Sequence, residues 1–344
     1  MDWRSLTQVK ELGWFVTNLP ALATDLLLFF DDGWTMASIP AGKVPPMTRM
    51  YDDVTAARQR RVPCWSALLP ASVQCHPSPL PPRDAGARTS ARANTANSMR
   101  ENGNSAGSIS TRTPLGTSNS SSSSKMNPLM LRLDGSAGPA SAVYASCAPP
   151  ALCTRGRTDD QQAMVDTILT AKERISIAVM DFIPASMGLW SSGPPVYWPA
   201  LTDAVLQAVS SAGVTARLLV SKWQWSDPRM RPYLQALQST AAVCAAGPVH
   251  SACQGSVEIK YYAVPGWNST VGPTREFPGH SRVNHNKYIV SEHTANIATS
   301  NMAWSYFATT VGTSLNVQDK SVASALGAIF DRDWNSIYAT THFD

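Results

Sequence analysis

From Thr158 onwards, short apolar runs alternate with stretches in which apolar side chains recur every three or four positions. Short runs bounded by turn residues predict strands, and the longer period predicts helices. Thr158-Asp159-Asp160 supplies capping side chains for a helix running to about Lys172. Ile175–Phe182 reads as a buried strand stopped by Pro184. A helix over Pro199–Ser211 has proline in its first turn and Gly213 just past its end. A strand over Val214–Ser221, a helix opened by Asp227-Pro228 and running to about Ala241, and a strand over Val257–Val264 follow. Three shorter strands, Lys287–Ser291, Asn296–Thr299 and Ser314–Gln318, precede a closing helix over Ser321–Asn335. In that helix Leu326, Ile329, Phe330 and Trp334 fall on one stripe. The alternation predicts an α/β fold with a sheet covered by helices.

The pattern fails in the middle of the chain. Ser66 to Val143 contains no Phe, Trp or Tyr, and Arg83–Lys125 is dominated by Ser, Asn, Ala, Thr and Gly. Such a segment buries too little apolar surface to offset its ordering entropy. Three regions are therefore expected: residues 1–57, a low-complexity and disordered insertion over 58–143, and the α/β unit over 144–344. The first is too small to make a comfortable domain alone. The formal net charge of +4 hints at an anionic partner. However, Arg83–Lys125 holds six basic residues against Asp84 and Glu101, so all of that excess sits in the insertion. Six cysteines in 344 residues exclude a small disulfide scaffold. No apolar run approaches the ~18 residues of a membrane span. Met1-Asp2-Trp3-Arg4 does not read as a signal peptide.

The candidate chemistry lies in His285-Asn286-Lys287-Tyr288-Ile289-Val290-Ser291-Glu292 and the following Ala298-Thr299-Ser300-Asn301. Strand periodicity puts His285 and Lys287 on one face. An imidazole, an ammonium, a hydroxyl and an amide at neighbouring strand ends suit a phosphoryl centre. The imidazole can attack phosphorus or protonate a leaving oxygen, while the Lys287 ammonium and the Asn301 amide can hold the non-bridging oxygens. No His/Cys/Asp cluster has metal-ligand spacing, so neither a metal nor another cofactor is expected. Trp223 and Trp225 follow a strand end and could stack bases of single-stranded nucleic acid. His280 is a candidate for the mouth of the site.

The motif resembles that of the phospholipase D superfamily, His-x-Lys-x4-Asp followed by a Gly-Ser-x-Asn-like turn. Arg282–Tyr288, Val311–Leu315, Ala148-Pro149-Pro150, Leu152-Cys153 and Phe330–Trp334 are similar to the animal branch of members 3 and 4. The resemblance implies a mixed sheet flanked by helices and histidine-based phosphodiesterase chemistry that needs no metal. It implies a 5′-exonuclease acting on single-stranded DNA or RNA, with a phospholipid hydrolase or transphosphatidylase as the alternative. It also implies an endolysosomal or ER/Golgi lumenal setting. That setting favours disulfides within the pairs Cys147/Cys153 and Cys244/Cys253, and glycosylation at Asn119 and Asn268.

By the same resemblance His285 acts as general acid/base, Lys287 and Asn301 bind phosphate with Thr299 assisting, and Glu292 orients Lys287 or the loop. Glu292 stands where the superfamily usually has Asp, and Ala298 where it usually has Gly. Were φ positive there, Ala298 would be strained and Thr299 and Asn301 displaced. The superfamily normally brings two such motifs together, yet no other histidine here is followed by Lys two positions later. Met1–Gly13 resembles the stretch just after the first motif, and Glu11 matches the carboxylate that orients the first-motif histidine. Its role is then expected to be orphaned. Three consequences stay open: a truncated or alternatively started product, an inactive half-site protein, or a homodimer that supplies two copies of His285.

Overall fold

The computed structural model describes residues 9–37, 122–133, 140–150, 153, 157–187, 196–246, 255–267 and 282–343. Among them a ten-stranded mixed sheet is the organising element. Its parallel half contains β5 (Arg174–Val179), β7 (Thr215–Ser221) and β8 (Ser256–Tyr262). These strands are joined by α3 (Ala200–Ala212) and α4 (Met230–Ala246), and such crossovers are what parallel neighbours require. Gly213 ends α3 with φ 69°, a left-handed cap that costs glycine no Cβ clash. The antiparallel half runs from β10 (Lys287–Val290) through β11 (Thr294–Ala298) and β13 (Gly312–Gln318) to β3 (Ser141–Ala148) and β2 (Leu129–Leu131). Strand β10 joins the halves by pairing antiparallel with β5. Short strands β4 (Thr158–Asp159) and β14 (Ala339–Thr340) add to β3 and β8.

Alternate residues of each strand feed two cores. Ile175, Ile177 and Val179 pack with α2 (Asp160–Leu169), α3 and α4, whereas Ala178, Tyr288 and Val290 pack with α6 (Lys320–Trp334). The predicted stripe of α6 is the buried one, with Phe330 stacked on Trp334 at 5.5 Å and Ile329 at its edge.

Three expectations change. The run Ile175–Phe182 is two strands, because β6 (Phe182–Ile183) leaves the main sheet to pair with β12 (Met302–Ala303). The break falls at Met180 and Asp181, where buried Asp181 bonds Asn301 instead of continuing the ladder. The insertion is shorter than 58–143. Strand β2 and the start of β3 lie inside that range, and Ser122, Ser123 and Ser124 are buried. The cause is polar: Ser123 donates its backbone N–H and its hydroxyl to the Asp25 carboxylate at 2.6 and 2.8 Å. Finally, residues 9–37 join the α/β unit. Strand β1 (Val9–Lys10) pairs with β9 (Val283–Asn284), and Leu22 of α1 (Pro20–Ala37) packs with Val143, Leu315 and Val317. Cys147 and Cys153 are bonded to each other. Cys253, the Cys244 side chain, Asn119, Asn268 and His280 lie outside the described residues.

Asp25 also receives Arg157 Nη1 at 3.0 Å, and both side chains are essentially inaccessible. Asp25→Ala leaves a buried guanidinium without its counter-charge and should cost about 3–5 kcal/mol. Urea denaturation of the variant against the parent checks this.

Candidate functional site

The site is built where the N-terminal segment meets the sheet. Parallel pairing of Val9 with Val283 and Lys10 with Asn284 continues into a bond from His285 N–H to Lys10 O at 2.9 Å. The next residue, Glu11, is thereby brought alongside His285, and its Oε1 lies 2.9 Å from His285 Nδ1. Lys10 anchors the segment from its other side through a 2.6 Å ion pair with Asp333 of α6. Glu11 is therefore not orphaned: it serves the histidine of this chain. With Nδ1–H donating to a carboxylate, Nε2 is left as the reactive nitrogen. Burial and the nearby Lys287 ammonium lower the His285 pKa, and Glu11 partly offsets them. The imidazole is thus biased towards its neutral form.

Lys287 is 5% exposed and donates from Nζ to His285 O at 2.8 Å. Burial brings its pKa down to about 8, against the pull of the Glu11 and Asp181 carboxylates. Both residues open onto a cleft of about 580 Å³, which also includes Glu11, Trp14, Thr299 and Thr313. Helix α1 supplies Leu22 and Leu26 as further wall. Thr299 is exposed, and Thr313 N–H donates to its Oγ1 at 2.9 Å. Ala298 is an ordinary strand residue, since Asn18 is the only non-glycine with positive φ among the described residues. The strain expected from alanine at this position does not arise. Gly312 matters instead: a Cβ there would come within 2.5 Å of Ser300 Oγ and 2.9 Å of Thr299 Oγ1.

Two predicted residues sit elsewhere. Asn301 is fully buried; its Nδ2 donates to Asp181 Oδ2 at 2.9 Å and Tyr306 Oη at 3.1 Å. It holds Asp181 rather than lining the cleft. Glu292 accepts the backbone N–H groups of Lys172, Glu173 and Arg174. Of the two roles considered for it, the contacts match the loop and not Lys287. Trp223 and Trp225 are not among the residues lining the cleft. Among the described residues no group of His, Cys, Asp and Glu could hold a metal ion.

Asp181 was missed by sequence reasoning, hidden at the end of an apolar run. Asp160 was read only as part of a cap, although it too is buried. Its Oδ1 accepts Ser146 Oγ at 2.8 Å and the hydroxyl of Ser314, which lines the cleft. Burial raises both carboxyls to about 6. In Asp160 the serine hydroxyls act against that rise, and in Asp181 the Lys287 charge does.

Comparison with known proteins places this geometry in context. The family described as "PLD3/4, PLD-like domain" matches residues 107–266. The chain is 33% identical over 346 residues to the 5'-3' exonuclease PLD3 of Bos taurus, covering 98% of this chain and 52% of that protein. It is 32% identical over 347 residues to the human 5'-3' exonuclease PLD4, covering 98% and 51%. The chain thus spans about half the length of the curated relatives it matches. Among solved structures, the phospholipase D family member Nuc from Salmonella typhimurium aligns at 12% identity and a TM-score of 0.37, covering 57% of this chain and 95% of that one.

Two predictions follow from the site's packing and charge. Gly312→Ala should cost about 1–3 kcal/mol by overpacking, read as a lowered denaturation midpoint. Asp160 and Asp181 have folded pKa values above their unfolded ones. Their contribution is therefore complete below about pH 4 and is lost as pH rises through about 6. His285, shifted downwards, acts in the opposite sense: its contribution is present above its unfolded value and is lost as pH falls. Thermal melting between pH 4 and 7 should accordingly show stability falling with pH, and Asp160→Asn and Asp181→Asn should each flatten that fall.

Proposed function

The chain belongs to the phospholipase D superfamily, and on that premise we propose that it is a histidine-based phosphodiesterase of the 5′-exonuclease type, acting on single-stranded nucleic acid. The observation that carries the reading is the His285–Glu11 contact of 2.9 Å beside the Lys287 ammonium in one cleft. Glu11 fixes the imidazole so that Nε2 meets the substrate. Lys287 binds non-bridging phosphate oxygens, and Thr299 adds a hydroxyl at the rim. In its charged form His285 gives the Nε2 proton to the leaving oxygen as the phosphorus–oxygen bond breaks. In its neutral form the same nitrogen takes a proton from the water that attacks phosphorus and displaces the second imidazole, breaking the phosphorus–nitrogen bond. Asn301 acts through Asp181, whose carboxyl it holds by a hydrogen bond of 2.9 Å.

The covalent step needs a second imidazole to attack phosphorus. His285 is the one histidine lining the cleft among the described residues. A second copy of the chain could bring its own His285 to the same phosphate, so that one copy takes each role in a homodimer. The Cys147–Cys153 disulfide supports an oxidising, lumenal setting, which the endolysosomal reading requires. No helix among the described residues is long and apolar enough to cross a membrane.

Purified protein incubated with 5′-labelled single-stranded DNA at acid pH should release nucleotides, and a phospholipid offered in parallel should not be cleaved. His285→Ala should abolish release, while Glu11→Gln should reduce it by about 10–100-fold through loss of imidazole orientation. Light scattering at the assay concentration should report a dimer if two copies form the site. Full activity in His285→Ala would remove the assignment. The same assay fixes the alkaline limit: phosphate affinity should fall above about pH 8, where Lys287 loses its proton.

A further inference from the structure

The cleft has a polar part and an apolar part, and Trp14 belongs to the second. Its indole follows Glu11 by three residues and lines the same cavity as His285 and Lys287. The ring and the imidazole that Glu11 touches thus face one shared cavity. It is also braced: partly buried, it packs against both the Tyr288–Phe330 and the Leu22–Leu315 cores while still lining the cavity. A planar ring held in place before the ligand arrives loses little freedom on binding.

The cleft's chemistry distinguishes between possible occupants. Leucines of α1 and the Trp14 face offer apolar contact, yet Glu11, Thr299 and Thr313 line the same space. A hydrocarbon tail laid there would strip water from those polar groups without replacing their hydrogen bonds. A nucleobase has apolar faces for stacking and a polar edge that can bond hydroxyls. Every base has such a face, so stacking of this kind is tolerant of sequence. The tryptophans that the sequence offered for stacking, Trp223 and Trp225, do not line this cavity.

We propose that Trp14 is the stacking platform for the base next to the phosphate held by His285 and Lys287, and that it sets the preference for nucleic acid over other phosphodiesters. The proposal rests on the phosphodiesterase reading of the site. It is tested by calorimetric binding of the full chain to a phosphorothioate-linked thymidine trinucleotide and to the same backbone carrying abasic tetrahydrofuran units. The base-bearing trimer should bind about 5- to 150-fold more tightly. Trp14→Ala should erase that ratio, and Trp14→Phe should keep most of it. Circular dichroism of both variants should match the parent. Equal affinity for the two trimers, or a ratio that survives in Trp14→Ala, overturns the platform. Lys287→Ala should weaken both trimers alike. If it does not, or if neither trimer binds the parent, the phosphodiester reading falls and the platform with it. Tighter, Trp14-dependent binding of dihexanoyl phosphatidic acid would overturn the base assignment while leaving the phosphate site in place.

Discussion

Everything at the site depends on a carboxylate buried far from it. Asp25 sits on α1 with 5% exposure and collects Arg157 Nη1, Ser123 N–H and the Ser123 hydroxyl, while Arg157 Nη2 bonds the Asp25 carbonyl. A buried charge pair adds little net stability over an apolar pair of the same shape. It does fix geometry, because it ties α1 to Arg157 and Ser123 through four hydrogen bonds. With α1 held, the strand before it can pair with β9, and that pairing sets Glu11 against His285. The helix also becomes a wall of the cleft. One ion pair thus controls both the orientation of the imidazole and the shape of the space in front of it.

The charges at the reactive end are few and close together. Lys287 is nearly buried and feels two carboxylates, Glu11 and Asp181, which oppose the lowering of its pKa by burial. Asp181 is itself held by Asn301 and by its own N–H to Asn301 Oδ1. The chain departs from the main sheet at this point, so the break between β5 and β6 places a carboxylate near Lys287. In a low-dielectric surrounding such charges act more strongly than at the surface. An anion entering the cleft would therefore meet a local field, and the chain's net charge has little part in it.

Much of this was legible in the sequence. Helices α2, α3 and α6 and strands β7, β8 and β13 follow from local periodicity and caps, since burial of one face dictates both. His285 and Lys287 were legible because their two-residue spacing survives translation into a strand. The rest turned on partners remote in sequence. Ser122–Ser124 read as low complexity because hydroxyl-rich segments bury little apolar area. Their partner, Asp25, lies 98 residues from Ser123. Asn301 looked like a phosphate ligand because an amide suits an oxyanion, and nothing local reveals that Asp181, 120 residues away, takes it. Glu11 was assigned to another histidine for the same reason: pairing between β1 and β9 is not encoded in either segment alone.

Glu11 lies 2.9 Å from His285 within one chain, so the two side chains are held by contacts of that chain alone. An imidazole on a strand end is free to rotate, and rotation would spread Nε2 over several orientations. The orienting group comes from a second segment: residues 9–10 pair in parallel with β9, which sets Glu11 beside His285 while Lys10 is clamped to Asp333. The N-terminal segment is therefore part of the same structural unit as His285. Its affinity for the rest of that unit comes from the α1 leucines and the Asp25–Arg157 pair, so the interactions that fold the segment onto the sheet also orient the imidazole.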